Sequence, residues 1–159
     1  MIFVTVGSDL PFDRLVQAVD QWAHRRNMKD VFAQIGEAGY KPGFIASKKF
    51  LGPTEFRDRF ASASLIISHA GMGTILSALQ HEKPILVMPR LAGLREVRNE
   101  HQLATSRRLL EMGKINVAFD VDELTRKLDH LDDLKPREKI TPFAGPELIS
   151  ALREFIARH

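Results

Sequence analysis

The chain has 159 residues, which is enough for one domain with a substantial core. Its composition is 44% apolar and 27% charged, as in soluble globular proteins, and no apolar run approaches the roughly 20 residues that cross a bilayer. The net charge of +3 suits an anionic ligand or a lipid surface without requiring either, and we expect no nucleic-acid partner. The absence of cysteine excludes disulfides, and a first strand in place of a signal peptide favours the cytoplasm.

Short apolar segments alternate with helical patterns over most of the chain. Continuous apolar runs are typical of strands that are covered on both faces, so the alternation predicts a doubly wound parallel α/β domain with right-handed crossovers. The predicted strands are residues 2–6, 31–35, 44–46, 65–68, 85–88 and 115–119. The predicted helices are residues 12–25, 55–61, 74–81, 99–111 and 123–131.

Three parts of different character follow one another along the chain. The α/β domain is predicted to span residues 1–131, and residues 132–146, which mix charges with prolines, are interpreted as a linker. Residues 147–159 are predicted to form a C-terminal helix with an apolar stripe. This stripe would pack on the domain itself or on a partner, and a homodimer of the isolated chain is one such possibility.

The segment after the fourth predicted strand carries the main functional signal. Ser68 and His69 end the strand, Gly71 and Gly73 follow, and Thr74 opens a helix. Free amides at a helix start, with the helix dipole behind them, favour a bound phosphate. Glycines let the main chain approach a ligand, and the hydroxyl and the imidazole add hydrogen-bonding groups. The alternative is an ordinary strand-to-helix turn with a half-buried histidine.

Other polar groups follow neighbouring predicted strands. A ligand of an open parallel sheet lies beyond the carboxyl ends of the strands, where the strand order reverses. Gly7 and Ser8 come after the first strand, and the run of residues 99–102 comes after the fifth. The hydrogen-bonding side chains of this run suit a hydroxyl-rich ligand such as a sugar. For Gly7 and Ser8 the alternative is a turn with a helix cap, and for residues 99–102 it is a solvated helix start.

Two charged motifs have structural interpretations. In the Asp-Val-Asp sequence at residues 120–122, we expect Asp122 to be the N-cap of the next helix. Arg90, Arg95 and Arg98 form a basic loop that we expect to be solvated, although it would also suit a phosphate or an acidic surface. The histidines are scattered and no His-Glu-x-x-His motif occurs, so no metal site is expected. Neither a full dinucleotide fingerprint nor a Walker loop is present.

Three ordered blocks, residues 68–74, 83–89 and 99–103, together resemble the C-terminal, donor-binding domain of glycosyltransferase family 28. That domain is the second half of a GT-B enzyme, and the resemblance runs from residue 2 to about residue 131. The chain is most similar to stand-alone soluble subunits of two-part glycosyltransferases of the bacterial exopolysaccharide type. These are akin to the soluble subunit of the GlcNAc transferase of dolichol-linked oligosaccharide synthesis.

The resemblance implies that the chain binds a UDP-sugar without a metal or other cofactor. The residues implied to hold the diphosphate are Gly7, Ser8, His69, Gly71, Met72, Gly73 and Thr74. Those implied for uracil and ribose are Phe50, Leu51 and Ser77, and those for the sugar are Asn99, Glu100, His101 and Gln102. Ser77 replaces an acidic ribose-binding residue of the family, which predicts weaker nucleotide affinity or a ribose held partly by another group.

The resemblance also implies a function that depends on a partner. A GT-B site lies between two domains, and this chain has room for one. It would be the donor-binding subunit of a glycosyltransferase in exopolysaccharide biosynthesis, inactive until a membrane-anchored subunit supplies the lipid-linked acceptor and the general base. That partner would recruit it to the inner face of the membrane. The alternatives are a regulatory module that binds nucleotide sugars and a nucleotide-sugar epimerase. Glucose, glucuronic acid, galactose and GlcNAc all remain open as the sugar.

Overall fold

The computed structural model describes residues 1–136. Within that part, six parallel strands form one sheet: β1 (Ile2–Thr5), β2 (Val31–Gln34), β3 (Ala46–Lys48), β4 (Leu65–His69), β5 (Ile85–Met88) and β6 (Asn116–Val117). The connecting helices are α1 (Asp13–Arg26), α2 (Pro53–Ser62), α3 (Met72–Gln80), α4 (His101–Glu111) and α5 (Val121–Leu128). The strand order β3-β2-β1-β4-β5-β6 reverses between β1 and β4. The predicted doubly wound parallel fold is confirmed.

Helices cover both faces of the sheet because successive strand residues point to opposite sides. Val4 of β1 belongs to a core cluster that includes Trp22 of α1 and Leu124 of α5. Phe3, the residue before it, belongs to the opposite cluster, which includes Ile75 of α3. Burial on both faces is the reason that the strands are continuous apolar runs.

Strand β3 begins two residues later than predicted, at Ala46. The carboxylate of Asp20 in α1 accepts hydrogen bonds from the amides of Gly43 (2.9 Å), Phe44 (3.0 Å) and Ile45 (2.9 Å). These amides therefore point towards α1 and cannot pair with β2. The apolar residues at 44 and 45 were a misleading strand signal.

Helix α5 begins at Val121, and Asp120 is its N-cap. Asp120 Oδ1 accepts a hydrogen bond from the amide of Glu123 (2.7 Å), and Glu123 Oε2 accepts one from the amide of Phe119 (2.9 Å). This arrangement is a variant of the capping box in which the N3 carboxylate accepts from the amide before the N-cap residue. The prediction that Asp122 caps the helix was wrong, since its side chain is exposed within the first turn.

The packed domain extends beyond residue 131. Leu131–Asp133 form a short 3-10 turn, and the side chain of Leu134 is buried in the core cluster on the α1 side. The first residues of the predicted linker, 132–146, thus belong to the domain. The predicted helix 147–159 lies outside the described residues. Within residues 1–136, no helix has the length and apolar character needed to span a bilayer.

Candidate functional site

The register of the sheet brings the loops after β1 and β4 together. Thr5 at the end of β1 is aligned with Gln34 on β2 and with Ser68 on β4. These strands therefore end at the same edge, at the point where the strand order reverses. Open α/β sheets bind their ligands at this place.

A cleft of about 540 Å³ opens at this edge, within the range of small-molecule sites. Four of the predicted site residues line it: Gly7, Ser8, Leu51 and Thr74. A second cavity of about 210 Å³, lined in part by Ser77, shares the walls formed by Phe56 and Arg57 with the first. We call the two together the edge groove. It runs between α2 and α3 and contains residues predicted for the phosphates, the base and the ribose.

The start of α3 leaves its backbone amides open. The helix begins at Met72, with Gly71 as an N-cap that contributes no side-chain hydrogen bond. The first amides of a helix have no partner within it. A Cβ atom built on Gly73 has no atom within 4 Å, so the space outside this residue is empty. The helix start next to Thr74 is thus accessible to an anion.

Gly7 and Gly71 are required by the imidazole of His69. A Cβ at Gly71 would lie 2.2 Å from His69 Nε2, and a Cβ at Gly7 would lie 2.8 Å from His69 Cε1. Gly7 also has a φ of +79°, which side chains disfavour. The ring therefore lies between the two loops and fixes their spacing. The structure thus gives Gly71 a steric reason of its own, and the approach of a ligand to Gly71 and Gly73 stays a prediction.

His69 is neutral at neutral pH. Burial and then the positive charge of Arg90 lower its pKa from 6.5 to about 4, and the carbonyl of Thr5 opposes them only in part. Among residues 1–136, no group forms a hydrogen bond with the buried Nδ1. In the absence of a ligand, the imidazole therefore offers a phosphate a neutral hydrogen-bonding group, weaker than a charged one.

The contact between the imidazole and Gly71 predicts coupled substitutions. Gly71→Ala should lower the free energy of unfolding by about 1–3 kcal/mol, because the new methyl group overlaps the ring. In a His69→Ala background, where the ring is absent, Gly71→Ala should lower the free energy of unfolding by much less. Urea unfolding of the four proteins of this double-mutant cycle measures the coupling. Additive effects would show that the ring does not set the spacing.

The polar run at the start of α4 makes contacts within the protein. Asn99 Oδ1 accepts a hydrogen bond from the amide of His101 (3.1 Å), and Glu100 Oε1 accepts one from an amide of the loop after β5 (3.0 Å). Gln102 Oε1 accepts one from the amide of Arg90 (3.2 Å). These four residues do not line the edge groove. Of the four, only His101 has an exposed side chain that forms no hydrogen bond with another residue of the described range 1–136. A contact with the sugar stays a prediction for these residues.

Arg90 differs from the solvated loop that was predicted. It is only 2% exposed, and its Nη2 donates to the carbonyls of Val6 (2.8 Å) and Leu10. Arg95 and Arg98 of the same loop are exposed, as expected. The prediction was wrong for Arg90, which packs against the loop after β1.

Some residues of the edge groove were not predicted. Gln34 is buried at the end of β2, and its Nε2 donates to the carbonyl of Gly7 (3.1 Å). The sequence could have indicated Gln34 as a site residue, because it is a polar residue at the end of an apolar strand. Phe56 and Arg57 lie on α2, where the sequence gives no such signal. Phe50 is 48% exposed and does not line the groove.

No three metal-ligating side chains lie together in the part of the chain that the structure describes. Together, the strand order and the edge groove define a doubly wound, Rossmann-like α/β domain with a candidate ligand site at its sheet edge. Residues 1–144 match the family model of the glycosyltransferase family 28 C-terminal domain. The chain belongs to this family, and the resemblance predicted from the sequence is confirmed.

Similar proteins include two UDP-N-acetylglucosamine transferase subunits ALG13. The subunit of Eremothecium gossypii is 41% identical over 68 residues, which are 42% of this chain and 32% of that protein. The human subunit is 29% identical over 124 residues, which are 72% of this chain and 10% of that protein. The matched part is thus about a third of the first relative and a tenth of the second.

Solved structures of the same fold include ALG13 and a bacterial protein. The solution structure of ALG13 has a TM-score of 0.60 at 19% identity, with 95% of this chain and 93% of that chain covered. MurG of Acinetobacter baumannii has a TM-score of 0.59 at 16% identity, with 84% of this chain and 42% of the MurG chain covered. These likenesses show the fold.

Proposed function

We propose that the chain is the donor-binding subunit of a two-subunit glycosyltransferase that takes its sugar from a UDP-sugar. The observation that carries the proposal is the edge groove, in which Gly7, Ser8 and Thr74 lie beside the open start of α3. Membership of family 28 and the open helix start support a diphosphate site at this sheet edge.

Each part of a nucleotide has a place in this proposal. The amides at the start of α3 and the hydroxyl of Thr74 hold the diphosphate, and the base lies near Leu51. The ribose lies at Ser77, where Arg57, on the shared wall of both cavities, provides the additional group. As the bond to the sugar breaks, negative charge grows on the departing diphosphate. The helix start then stabilises it more strongly, without a metal.

The second half of the active site belongs to a separate subunit in this proposal. Two relatives are named as subunits of a transferase, which supports a divided enzyme. Met72 and Leu76 lie one turn apart on α3 with exposed side chains, as on a surface that another domain covers. We infer that a membrane-anchored partner supplies the general base and the lipid-linked acceptor and holds this chain at the inner face of the membrane. The resemblance of residues 69–73 and 98–102 to the bacterial exopolysaccharide form supports exopolysaccharide as the product.

Co-expression with candidate membrane-anchored subunits tests the proposal. We expect the purified chain to bind UDP-sugars in a thermal-shift screen but to transfer no sugar to a lipid-linked acceptor. With the correct partner, labelled sugar should appear on the acceptor, and this screen should identify the sugar. Transfer by the chain alone would contradict the divided enzyme. UDP-sugar binding that no partner converts into transfer would favour a regulatory module, and absence of binding would contradict a donor site.

A further inference from the structure

We propose that Arg90 is a positioning residue of the diphosphate site, holding the loop after β1 in place and supplying a buried positive charge that a bound diphosphate neutralises. This inference rests on the proposed function, since it concerns the same groove. Arg90 does not contact the ligand itself, because it is buried. It acts through the loop that carries Gly7 and Ser8.

The hydrogen bonds of Arg90 hold both ends of this loop. Its Nη2 donates to the carbonyl of Val6, the residue before Gly7, and to the carbonyl of Leu10, two residues beyond Ser8. The backbone of Arg90 is itself held at the end of β5, where its amide donates to Gln102. One side chain thus connects the loop after β1 to the loop after β5, across the end of β4.

No carboxylate forms a hydrogen bond with the Arg90 guanidinium in the described residues. Within residues 1–136 it forms no salt bridge, and its Nε is buried without a hydrogen-bond partner. Glu96 would be an acceptor, but both of its oxygens bind Arg14, at 2.7 and 2.8 Å. The remaining neighbour is the ring of Phe12, whose centroid lies 5.1 Å from the guanidinium carbon.

A buried charge without a directly bonded carboxylate is costly, and groups whose pKa is perturbed by burial occur preferentially at functional sites. Burial lowers the pKa of Arg90, and the negative charges of Glu96 and Asp9 oppose this only in part. Arginine nevertheless keeps its proton in proteins. The same charge reaches the edge groove, because it contributes to the lowered pKa of His69, which lies between Gly7 and Gly71. An anion at this loop would provide the missing compensation.

Replacing Arg90 with methionine tests the inference, with Arg98→Met as the matched control. Both changes remove one positive charge from the same loop, but Arg98 is exposed. We expect Arg90→Met to weaken binding of UDP by about tenfold to a hundredfold and to leave binding of uridine unchanged, since only the diphosphate responds to the charge. Arg98→Met should alter neither. Titrations of the full chain with both ligands, followed by NMR, measure these affinities.

The pKa of His69 gives a second measurement, which reports whether the charge of Arg90 reaches the groove. In folded Arg90→Met it should rise from about 4, and in Arg98→Met it should not. If Arg90→Met does not fold, Arg90→Lys is the variant that tests the inference, because one ammonium group cannot bridge both carbonyls equally. For Arg90→Lys we expect several-fold weaker UDP binding and unchanged uridine binding. Equal losses for the two ligands, or no loss in a folded variant, would overturn the inference. Failure of the unaltered chain to bind UDP would instead contradict the donor site.

Discussion

Replacing Gly73 with tryptophan is expected to abolish UDP binding without unfolding the protein. The space outside Gly73 is empty in the structure, so the indole has room and the core is untouched. The indole would cover the open amides at the start of α3. Loss of two charge-assisted hydrogen bonds at about 1.5–3 kcal/mol each weakens binding by about a hundredfold or more. Calorimetric titration with UDP measures the loss.

Gly43→Trp is the matched control for this substitution. Gly43 also has no atom within 4 Å of a built Cβ, but it lines a different cavity, beside Asp20. We expect this variant to bind UDP as the unaltered chain does, and both variants to keep the circular dichroism spectrum of the fold. Undiminished UDP affinity in folded Gly73→Trp would mean that the diphosphate does not bind at the start of α3.

Asp20→Ala is expected to lower the free energy of unfolding by about 2–4 kcal/mol, because it leaves several donors without their acceptor. The carboxylate, which is only 5% exposed, accepts from the hydroxyl of Tyr40 (2.8 Å) and from three amides of the segment before β3. Asp122→Ala is the control, since that side chain is exposed, and it should change stability by less than about 0.5 kcal/mol. Urea unfolding of both variants measures the difference.

The effect of Asp20→Ala should depend on pH. Burial by itself raises the pKa of Asp20, but the amides of Ile45 and Gly43, the Tyr40 hydroxyl and the Phe44 amide together lower it below 3.8. The stabilisation is therefore complete above about pH 4 and is lost as the pH falls through the lower pKa of the folded state. The stability difference between the unaltered chain and Asp20→Ala should narrow in acid. A difference that stays constant below that pH would contradict a charged acceptor.

The fold could be predicted from the sequence because local patterns and packing agree in it. Strand β5 has the predicted bounds, since its apolar run is buried on both faces between turns. At β3 the apolar residues Phe44 and Ile45 give the same local signal, but the distant carboxylate of Asp20 takes their amides. Contacts between residues that are far apart in the chain decide such positions, and no local pattern contains them.

The candidate site could be predicted where its residues follow strand ends or, as at Ser77, match positions of the family motif. Gly7, Ser8 and Thr74 follow strand ends and line the edge groove as expected. Arg57 lies in the middle of α2 and reaches the groove only through the packing of that helix on the sheet. The burial of Arg90 likewise depends on carbonyls some 80 residues away, so its position after β5 was interpreted as a solvated loop.

The central claim is that the edge groove binds the nucleotide diphosphate of a sugar donor. An NMR titration of the ¹⁵N-labelled full chain with UDP tests it most directly, because every backbone amide reports separately. The account predicts that the largest shifts occur at Gly7, Ser8, Gly73, Thr74 and Ser77 and that they disappear in Gly73→Trp. Shifts centred on the cavity beside Asp20 and Tyr40, or no shifts at saturating UDP, would contradict it.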